Sequence, residues 1–283
     1  MIFDTITQTV EYLDNGGIAI FNQDKTKLIK VSDFNASGYL LKPFLYAVPE
    51  GVKIIGRCAF HNIFQITEIT LPDSVETVEG FAFAGCLNLK HLVLSKNITS
   101  IGPYAFFGCG KLNSITIPSE ITIIKEGTFN RCSDLSEINL PVGLTTIENT
   151  VFYGCSNLSR ITLPDTLNTL GGGVFQLCLN LSSITIPAGV TYIKPHTFMD
   201  CHNLKEVAFP RNLKTIGTKA FFSCNSLKMV DLPEGTEKIG LWAFEGCTSL
   251  KKVKLPESIL QIWPYAFKNC IFSGCNNLTK LEI

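Results

Sequence analysis

Residues 112–132 read LNSITIPSEITIIKEGTFNRC, and residues 135–155 read LSEINLPVGLTTIENTVFYGC. The two stretches lie 23 residues apart and carry Leu, alternating aliphatic residues, Pro, two further aliphatic residues, Phe and Cys at matching positions. A fixed period of about 20–50 residues is the signature of a repeat architecture. This repeated motif therefore predicts the architecture more strongly than the length of the chain does.

The 23-residue period runs through most of the chain. Phenylalanine marks ten consecutive repeats, and cysteine follows three residues later in all of them except the first, which has Ile63. The unit reads LxxIxLPxxLxxIGxxAFxGC. The ten marker residues are Phe60, Phe83, Phe106, Phe129, Phe152, Phe175, Phe198, Phe221, Phe244 and Phe267. A unit this short cannot bury its own apolar face, so the repeats predict a solenoid of stacked coils.

Each unit predicts one strand and a return turn. Alternating apolar residues in the IxL element favour a strand, and the following proline ends it because proline cannot donate to a sheet ladder. The AFxGC element is too short for an independent helix, and its glycine, as at Gly85 and Gly108, favours a single helical turn. We therefore predict an α/β leucine-rich-repeat horseshoe with a parallel concave sheet and short helical or irregular convex turns. Ten coils about 4.7–4.9 Å apart give a sheet on the order of 50 Å long.

The unit resembles the BspA-like leucine-rich repeats, also called the Treponema pallidum type, in its length, proline, Ala-Phe pair and cysteine. The resemblance covers about residues 49–283. It implies the solenoid fold and a role at bacterial or protist cell surfaces, where such proteins resemble adhesins that bind host matrix proteins, other cells or glycans.

The two ends of the chain depart from the repeat. Residues 1–48 do not fit the register, and their alternating runs at 18–21 and 28–31 predict a β-hairpin cap on the solenoid of residues 49–283. Residues 272–283 repeat the unit after an insertion and show no recognisable cap. This predicts an open sheet edge, explained by a shortened C-terminus or by an end-to-end partner such as a homodimer through that edge.

Composition excludes several classes of protein. The chain has 283 residues, 24 Lys+Arg against 24 Asp+Glu, and 46% hydrophobic residues. Disorder requires low hydrophobicity and high net charge, and nucleic-acid binding normally requires a basic excess. The apolar runs are shorter than the roughly 18 residues of a membrane span. The first ten residues lack the basic and apolar regions of a signal peptide, so we expect a cytoplasmic protein, or a surface or secreted one whose leader was removed.

The cysteines and histidines form no recognisable catalytic or metal-binding pattern in the sequence. Nine of the eleven cysteines form the column after the phenylalanines. Stacked cysteines would be close enough for a disulfide, but side chains of one column point the same way into the core, which favours free structural thiols. No CxxC pair, GxSxG, HExxH, Walker or EF-hand motif is present, and the four histidines fall at four different repeat positions. We expect no catalytic residue, no metal and no cofactor.

The solvent face of the sheet remains as the candidate site. The eighth and tenth residues after each phenylalanine should point outwards, since the ninth and eleventh face the core. Small polar residues occupy the middle of this face, and lysines form a basic stripe near its C-terminal end. The predicted binding residues are Thr116, Glu137, Asn139, Arg160, Thr162, Thr185, Lys228, Lys251, Lys252 and Lys254.

These observations favour a non-enzymatic module that binds a protein or glycan through its concave face at a cell surface or after secretion. The alternative is an intracellular scaffold or effector that binds a protein partner in a reducing compartment, as free thiols would allow. An enzyme would require a composite site that no motif reveals.

Overall fold

The structure is a computed structural model that describes residues 8–13, 17–32 and 42–270. The chain forms a β-solenoid of about ten turns. It begins with three antiparallel strands, β1 (Gln8–Tyr12), β2 (Ile18–Asn22) and β3 (Lys27–Ser32). Strands β2 and β3 correspond to the predicted hairpin.

Two rows of strands follow, in which long strands of three to five residues alternate with two-residue strands, except between residues 147 and 169, where no long strand forms. In chain order they are β4 (Phe44–Ala47), β5 (Ile54–Ile55), β6 (Ile66–Thr70), β7 (Thr77–Val78), β8 (His91–Val93), β9 (Ser100–Ile101), β10 (Ser114–Thr116), β11 (Ile123–Ile124), β12 (Glu137–Asn139), β13 (Thr146–Ile147), β14 (Thr169–Leu170), β15 (Ser183–Thr185), β16 (Tyr192–Ile193), β17 (Glu206–Ala208), β18 (Thr215–Ile216), β19 (Met229–Asp231), β20 (Lys238–Ile239), β21 (Lys252–Lys254) and β22 (Gln261–Ile262). The paired strands of each row are parallel and usually one 23-residue repeat apart, as where Ser114 of β10 lies opposite Glu137 of β12.

The N-terminal strands join the solenoid without a gap. Strand β3 pairs in parallel with β5, so the antiparallel strands extend the row of two-residue strands. Strand β4 pairs in parallel with β6 and is the first member of the long row. The predicted C-terminal repeat at 272–283, and the sheet edge expected there, lie outside the described residues.

The phenylalanine column forms the centre of the core. The ten marker rings, from Phe60 to Phe267, are at most 4% exposed. Successive rings stack with centroids 4.8–5.8 Å apart and planes within 16° of parallel. This geometry lies in the favourable range for aromatic pairs. The repeat period therefore corresponds to one layer of core per coil.

The predicted helical turns are not present, and the α/β class is not confirmed. No residue of the described ranges lies in a helix. The reason is that the residues two before and two after each marker phenylalanine have positive φ, for example Tyr104 at 55° and Gly108 at 69° around Phe106. Left-handed residues cannot continue a right-handed helix.

In place of a helix, the segment forms a turn whose backbone is hydrogen-bonded to the turn of the next coil. The amide of Phe107 donates to the carbonyl of Tyr104 within the turn at 3.1 Å, whereas the amide of Phe106 donates to the carbonyl of Thr128 in the next coil at 3.0 Å. The amides of Tyr104 and Gly108 likewise donate to the next coil, at 2.8 Å each. Every second amide of the segment thus links two coils, which satisfies backbone groups that a helix would have paired internally.

Candidate functional site

The long strands present a regular exposed surface. In β10, Ser114 and Thr116 are exposed whereas Ile115 is 4% exposed, and β8, β12, β15, β19 and β21 repeat this pattern. The alternation follows from the two-residue period of a strand. We call the exposed residues of the long strands β6 to β21, with Arg160 and Thr162 of the intervening coil, the sheet face.

All ten predicted binding residues are exposed. Six lie in the middle of the sheet face, where Thr116, Asn139 and Thr162 occupy successive coils. The side-chain amide of Asn139 donates to the Thr116 hydroxyl at 3.2 Å. The other four are lysines at its C-terminal end. The structure therefore brings the predicted residues together as two groups on one side of the molecule.

The middle of the sheet face is interrupted. Residues 160–162 occupy the place of a long strand but form none, and they make no backbone hydrogen bond with either neighbouring coil. Shallow clefts of about 680 and 580 Å³ flank this segment, towards β12 and towards β15 respectively. The sequence gives no sign of this break, because Arg160-Ile-Thr162 has the same alternation as its neighbours.

A third cleft of about 790 Å³ extends the depression towards β8 and β10. It shares Glu137 and Asn139 with the cleft beside β12, which in turn shares Arg160 and Thr162 with the cleft beside β15. The three clefts therefore form one continuous groove across the strands, which we call the central groove.

The central groove has two different rims. Residues before the strands give a hydroxyl rim, where Ser136 donates to the carbonyl of Asn113 at 3.2 Å. Residues after the strands give an apolar rim that includes Leu140, Pro141 and Val142, and Val142 is 85% exposed. Because the parallel strands are in register, each rim runs along the solenoid.

The lysines form a basic ridge at the C-terminal end of the sheet face. The amide of Lys251 donates to the carbonyl of Lys228 at 3.0 Å, so these two residues are stacked one coil apart. Lys254 lies opposite Asp231, and its ammonium group is 3.4 Å from the carboxylate. An exposed pair of this kind contributes little to stability. The ridge stays predominantly basic, since Lys252 lies opposite Met229.

The cysteine column is structural. Each sulfur from Cys86 to Cys270 lies 3.0–3.2 Å from the carbonyl oxygen of the marker phenylalanine one coil earlier, as Cys155 does from Phe129. Within the described ranges, no disulfide joins two cysteines. Burial raises the thiol pKa of Cys132 well above its ordinary value of 9.0 and that of Cys270 to about 12. A nucleophilic cysteine requires the opposite shift.

The other titratable groups of the described residues show no reactive arrangement. Burial raises the pKa of Asp200, and burial together with the charge of Lys219 lowers the pKa of His196. Among the described residues, no group of three or more His, Cys, Asp and Glu side chains could hold a metal ion. A search of the same ranges finds no helix suited to crossing a membrane.

Sequence analysis missed two aromatic ladders on the turns. Phe81 stacks on Tyr104 at 5.1 Å, and Trp242 stacks on Tyr265 with centroids 6.4 Å apart. Lys219 lies 4.9 Å from the Trp242 ring. The signal was available, because Phe81 and Tyr104, and again Trp242 and Tyr265, stand at the same repeat position, two residues before successive marker phenylalanines. These ladders lie away from the sheet face.

The fold and its exposed strands define a leucine-rich-repeat solenoid. The family model described as "BspA type Leucine rich repeat region (6 copies)" matches residues 53–182 and 168–283. The chain belongs to this family. Leucine-rich-repeat families generally mediate protein interactions and are typically non-enzymatic.

Two of the similar solved structures have TM-scores above 0.5 and share the fold. A leucine-rich repeat protein from Eubacterium ventriosum is 18% identical over 98% of this chain and 99% of its own, with a TM-score of 0.56. The pneumococcal vaccine antigen PcpA is 20% identical over 90% of this chain and 72% of its own, with a TM-score of 0.60. The T. pallidum leucine-rich repeat protein is 25% identical over 77% of this chain and 90% of its own, with a TM-score of 0.49. None of the curated proteins compared matches the chain.

Proposed function

We propose that this chain is a non-enzymatic adhesion or interaction module, at a cell surface or secreted, that binds proteins or glycans of a host or of neighbouring cells through the sheet face. The observation that carries the proposal is the sheet face itself. It presents exposed polar side chains on successive coils of one rigid scaffold. Solenoids commonly bind macromolecules with such extended surfaces.

The test is binding of the purified chain to an array of extracellular matrix proteins and glycans. A variant with Lys228, Lys251, Lys252 and Lys254 changed to Glu removes the basic ridge. The matched control changes Lys53, Lys194, Lys214 and Lys238 to Glu, which alters the same number of charges beside or on the two-residue strands. We expect a salt-sensitive interaction that the first variant loses and the control keeps. Equal loss in both variants, or no binding at any salt concentration, would contradict the proposal.

An intracellular scaffold is the second candidate function. The observation that favours it is the stack of buried cysteines, because cysteines in this number that form no disulfide are typical of a reducing compartment. Affinity purification from a cell lysate, with the same two lysine variants, tests it. A protein partner that needs the basic ridge, together with an array that shows no binding, would favour the scaffold.

We also propose a homodimer through the C-terminal sheet edge. The proposal rests on the sequence, because residues 272–283 carry a further copy of the repeat motif and an edge strand of one chain can pair with a strand of another. Light scattering across a wide range of protein concentrations tests it. A mass that doubles with increasing concentration is expected, and a constant monomer mass would overturn the proposal.

A further inference from the structure

We propose that the central groove binds an extended peptide segment of a partner protein. An acidic side chain of the peptide would contact Arg160, and basic side chains on either side of it would contact Glu137 and Glu206. The inference rests on the proposed function, because it names the ligand of the same sheet face. The central groove lies apart from the basic ridge and carries charges of both signs.

The first argument is the charge pattern of the groove. Glu137, Arg160 and Glu206 are exposed and line the groove in this order, each at the eighth position after a marker phenylalanine. None of the three forms an ion pair with a described residue. Alternating charges that lack internal partners are suited to a ligand with the complementary pattern, since complementary charges fix register and exclude wrong partners.

The spacing of the charges agrees with an extended chain. Glu137 is one coil and Glu206 two coils from Arg160, and adjacent coils lie about 4.7–4.9 Å apart, so the two glutamates are about 14–15 Å apart. Side chains on one face of an extended peptide recur about every 6.6–6.8 Å. Basic residues two positions before and two positions after an acidic residue can therefore reach both glutamates, which predicts the pattern basic-x-acidic-x-basic.

The second argument is the interruption at residues 160–162. These residues leave their backbone amides and carbonyls without partners in the neighbouring coils, and clefts open on both sides of them. A peptide that lies in the groove, across the strands, carries backbone donors and acceptors that can bond individual groups of this segment where the clefts open. No exposed residue of the long strands, within the described ranges, is a Phe, Tyr or Trp on whose ring a sugar could stack. The groove therefore favours a peptide over a glycan.

The third argument is the apolar rim. Val142 is 85% exposed beside Leu140 and Pro141, on the side of the groove opposite the serine hydroxyls. The intervening positions of an extended peptide can place an apolar side chain against this rim while its charged side chains meet the groove floor. Burial of that contact would add affinity in proportion to the apolar area removed from water.

The test is selection from a displayed library of randomised 12-residue peptides on the full chain. We expect the wild type to enrich basic-x-acidic-x-basic peptides. The triple variant Glu137→Lys, Arg160→Glu and Glu206→Lys should enrich the inverse pattern and bind the wild-type peptides at least about tenfold more weakly. Arg211→Glu, an exposed charge change outside the groove, is the matched control and should keep the wild-type preference. Circular dichroism confirms that each variant folds.

Two results would overturn the proposal. One is the absence of any enriched peptide on the wild type, and the other is the same charge pattern selected by the wild type and the triple variant. The array experiment distinguishes failure of the peptide proposal from failure of the proposed function. If the triple variant still binds the array ligands, the sheet face binds macromolecules, but the groove does not select peptides with this charge pattern. If the array shows no binding, the proposed function itself fails.

Discussion

At the scale of single residues, the left-handed positions around each phenylalanine decide the path of the chain. Gly108, with φ of 69°, accepts this conformation without strain, whereas Tyr104 and Trp242 adopt it with a side chain. A non-glycine residue in this region costs about 1–2 kcal/mol. The stacking of Tyr104 on Phe81 and of Trp242 on Tyr265 offsets part of that cost.

Gly108→Ala tests the left-handed requirement in isolation. A Cβ at Gly108 would meet its nearest neighbouring atom only at 3.9 Å, so the expected loss of about 1–2 kcal/mol comes from the backbone conformation and not from a clash. Gly143→Ala is the control, because Gly143 lacks a positive φ and no atom lies within 4 Å of its added Cβ. Chemical denaturation should show Gly143→Ala unchanged or slightly stabilised. Equal destabilisation of both variants would refute the explanation.

The buried thiols make stability depend on alkaline pH. Burial raises the pKa of Cys132 and Cys178 well above 9.0 in the folded state, and the unfolded thiols ionise near that value. The unfolded chain therefore binds fewer protons above pH 9, so the free energy of unfolding should fall as pH rises, by up to about 1.4 kcal/mol per thiol and pH unit.

The measurement is urea denaturation between pH 8 and 9.5. A variant with Cys132, Cys155 and Cys178 changed to Ala should be less stable at pH 8, because it loses sulfur contacts and hydrogen bonds in the core. Its stability should nevertheless fall less steeply with pH than that of the wild type. Identical slopes would mean that these thiols do not ionise on unfolding.

At the scale of elements, the sequence predicted the long strands well and the turns poorly. The IxLP phrase places β10 and β12 correctly because alternation and proline act locally. The AFxGC phrase suggested a helical turn at residues such as Ala105 and Phe106, yet the amides there alternate between local turns and the next coil. The two-residue strands were not predicted, since two residues carry no detectable period.

The same limit explains the partial prediction of the candidate site. The outward-facing residues followed from the strand period, and all ten are exposed. The break at Arg160 and Thr162 did not follow, because pairing between coils depends on the packing of neighbouring repeats and not on the segment itself. The groove is therefore a property that only the structure reveals.

Hydrogen exchange should detect the break. Residues 160–162 lack bonds to neighbouring coils, whereas Ile117 donates to Asn139 at 3.0 Å and Ile186 to Ala208 at 3.0 Å. Amides of a peptide covering residues 159–163 should therefore exchange faster than those covering residues 114–118 and 183–187, because exchange requires an unbonded amide. Equal protection of the three segments would show that the strand ladder is continuous.

At the scale of the whole molecule, each coil packs only on its neighbours, and stability spreads along one dimension. Phe152 stacks between Phe129 at 5.8 Å and Phe175 at 5.6 Å. Removal of this ring should cost about 3–5 kcal/mol and weaken the coupling between the two halves. Phe64→Ala, at a side chain that is 39% exposed, is the control.

Denaturant titration followed by hydrogen exchange distinguishes the outcomes. Phe152→Ala should split unfolding into separate transitions for the coils before and after it, whereas Phe64→Ala should keep the wild-type profile. A single transition of the Phe152→Ala variant, merely shifted to lower denaturant, would contradict one-dimensional coupling.

The most direct test of binding through the sheet face is hydrogen exchange of the chain with and without a partner found on the array. We expect slowed exchange at residues 160–163 and at the neighbouring strands β12 and β15, where amides lie beside the central groove. Protection confined to the turns that carry Trp242 and Tyr265, with unchanged exchange along the long strands, would contradict it.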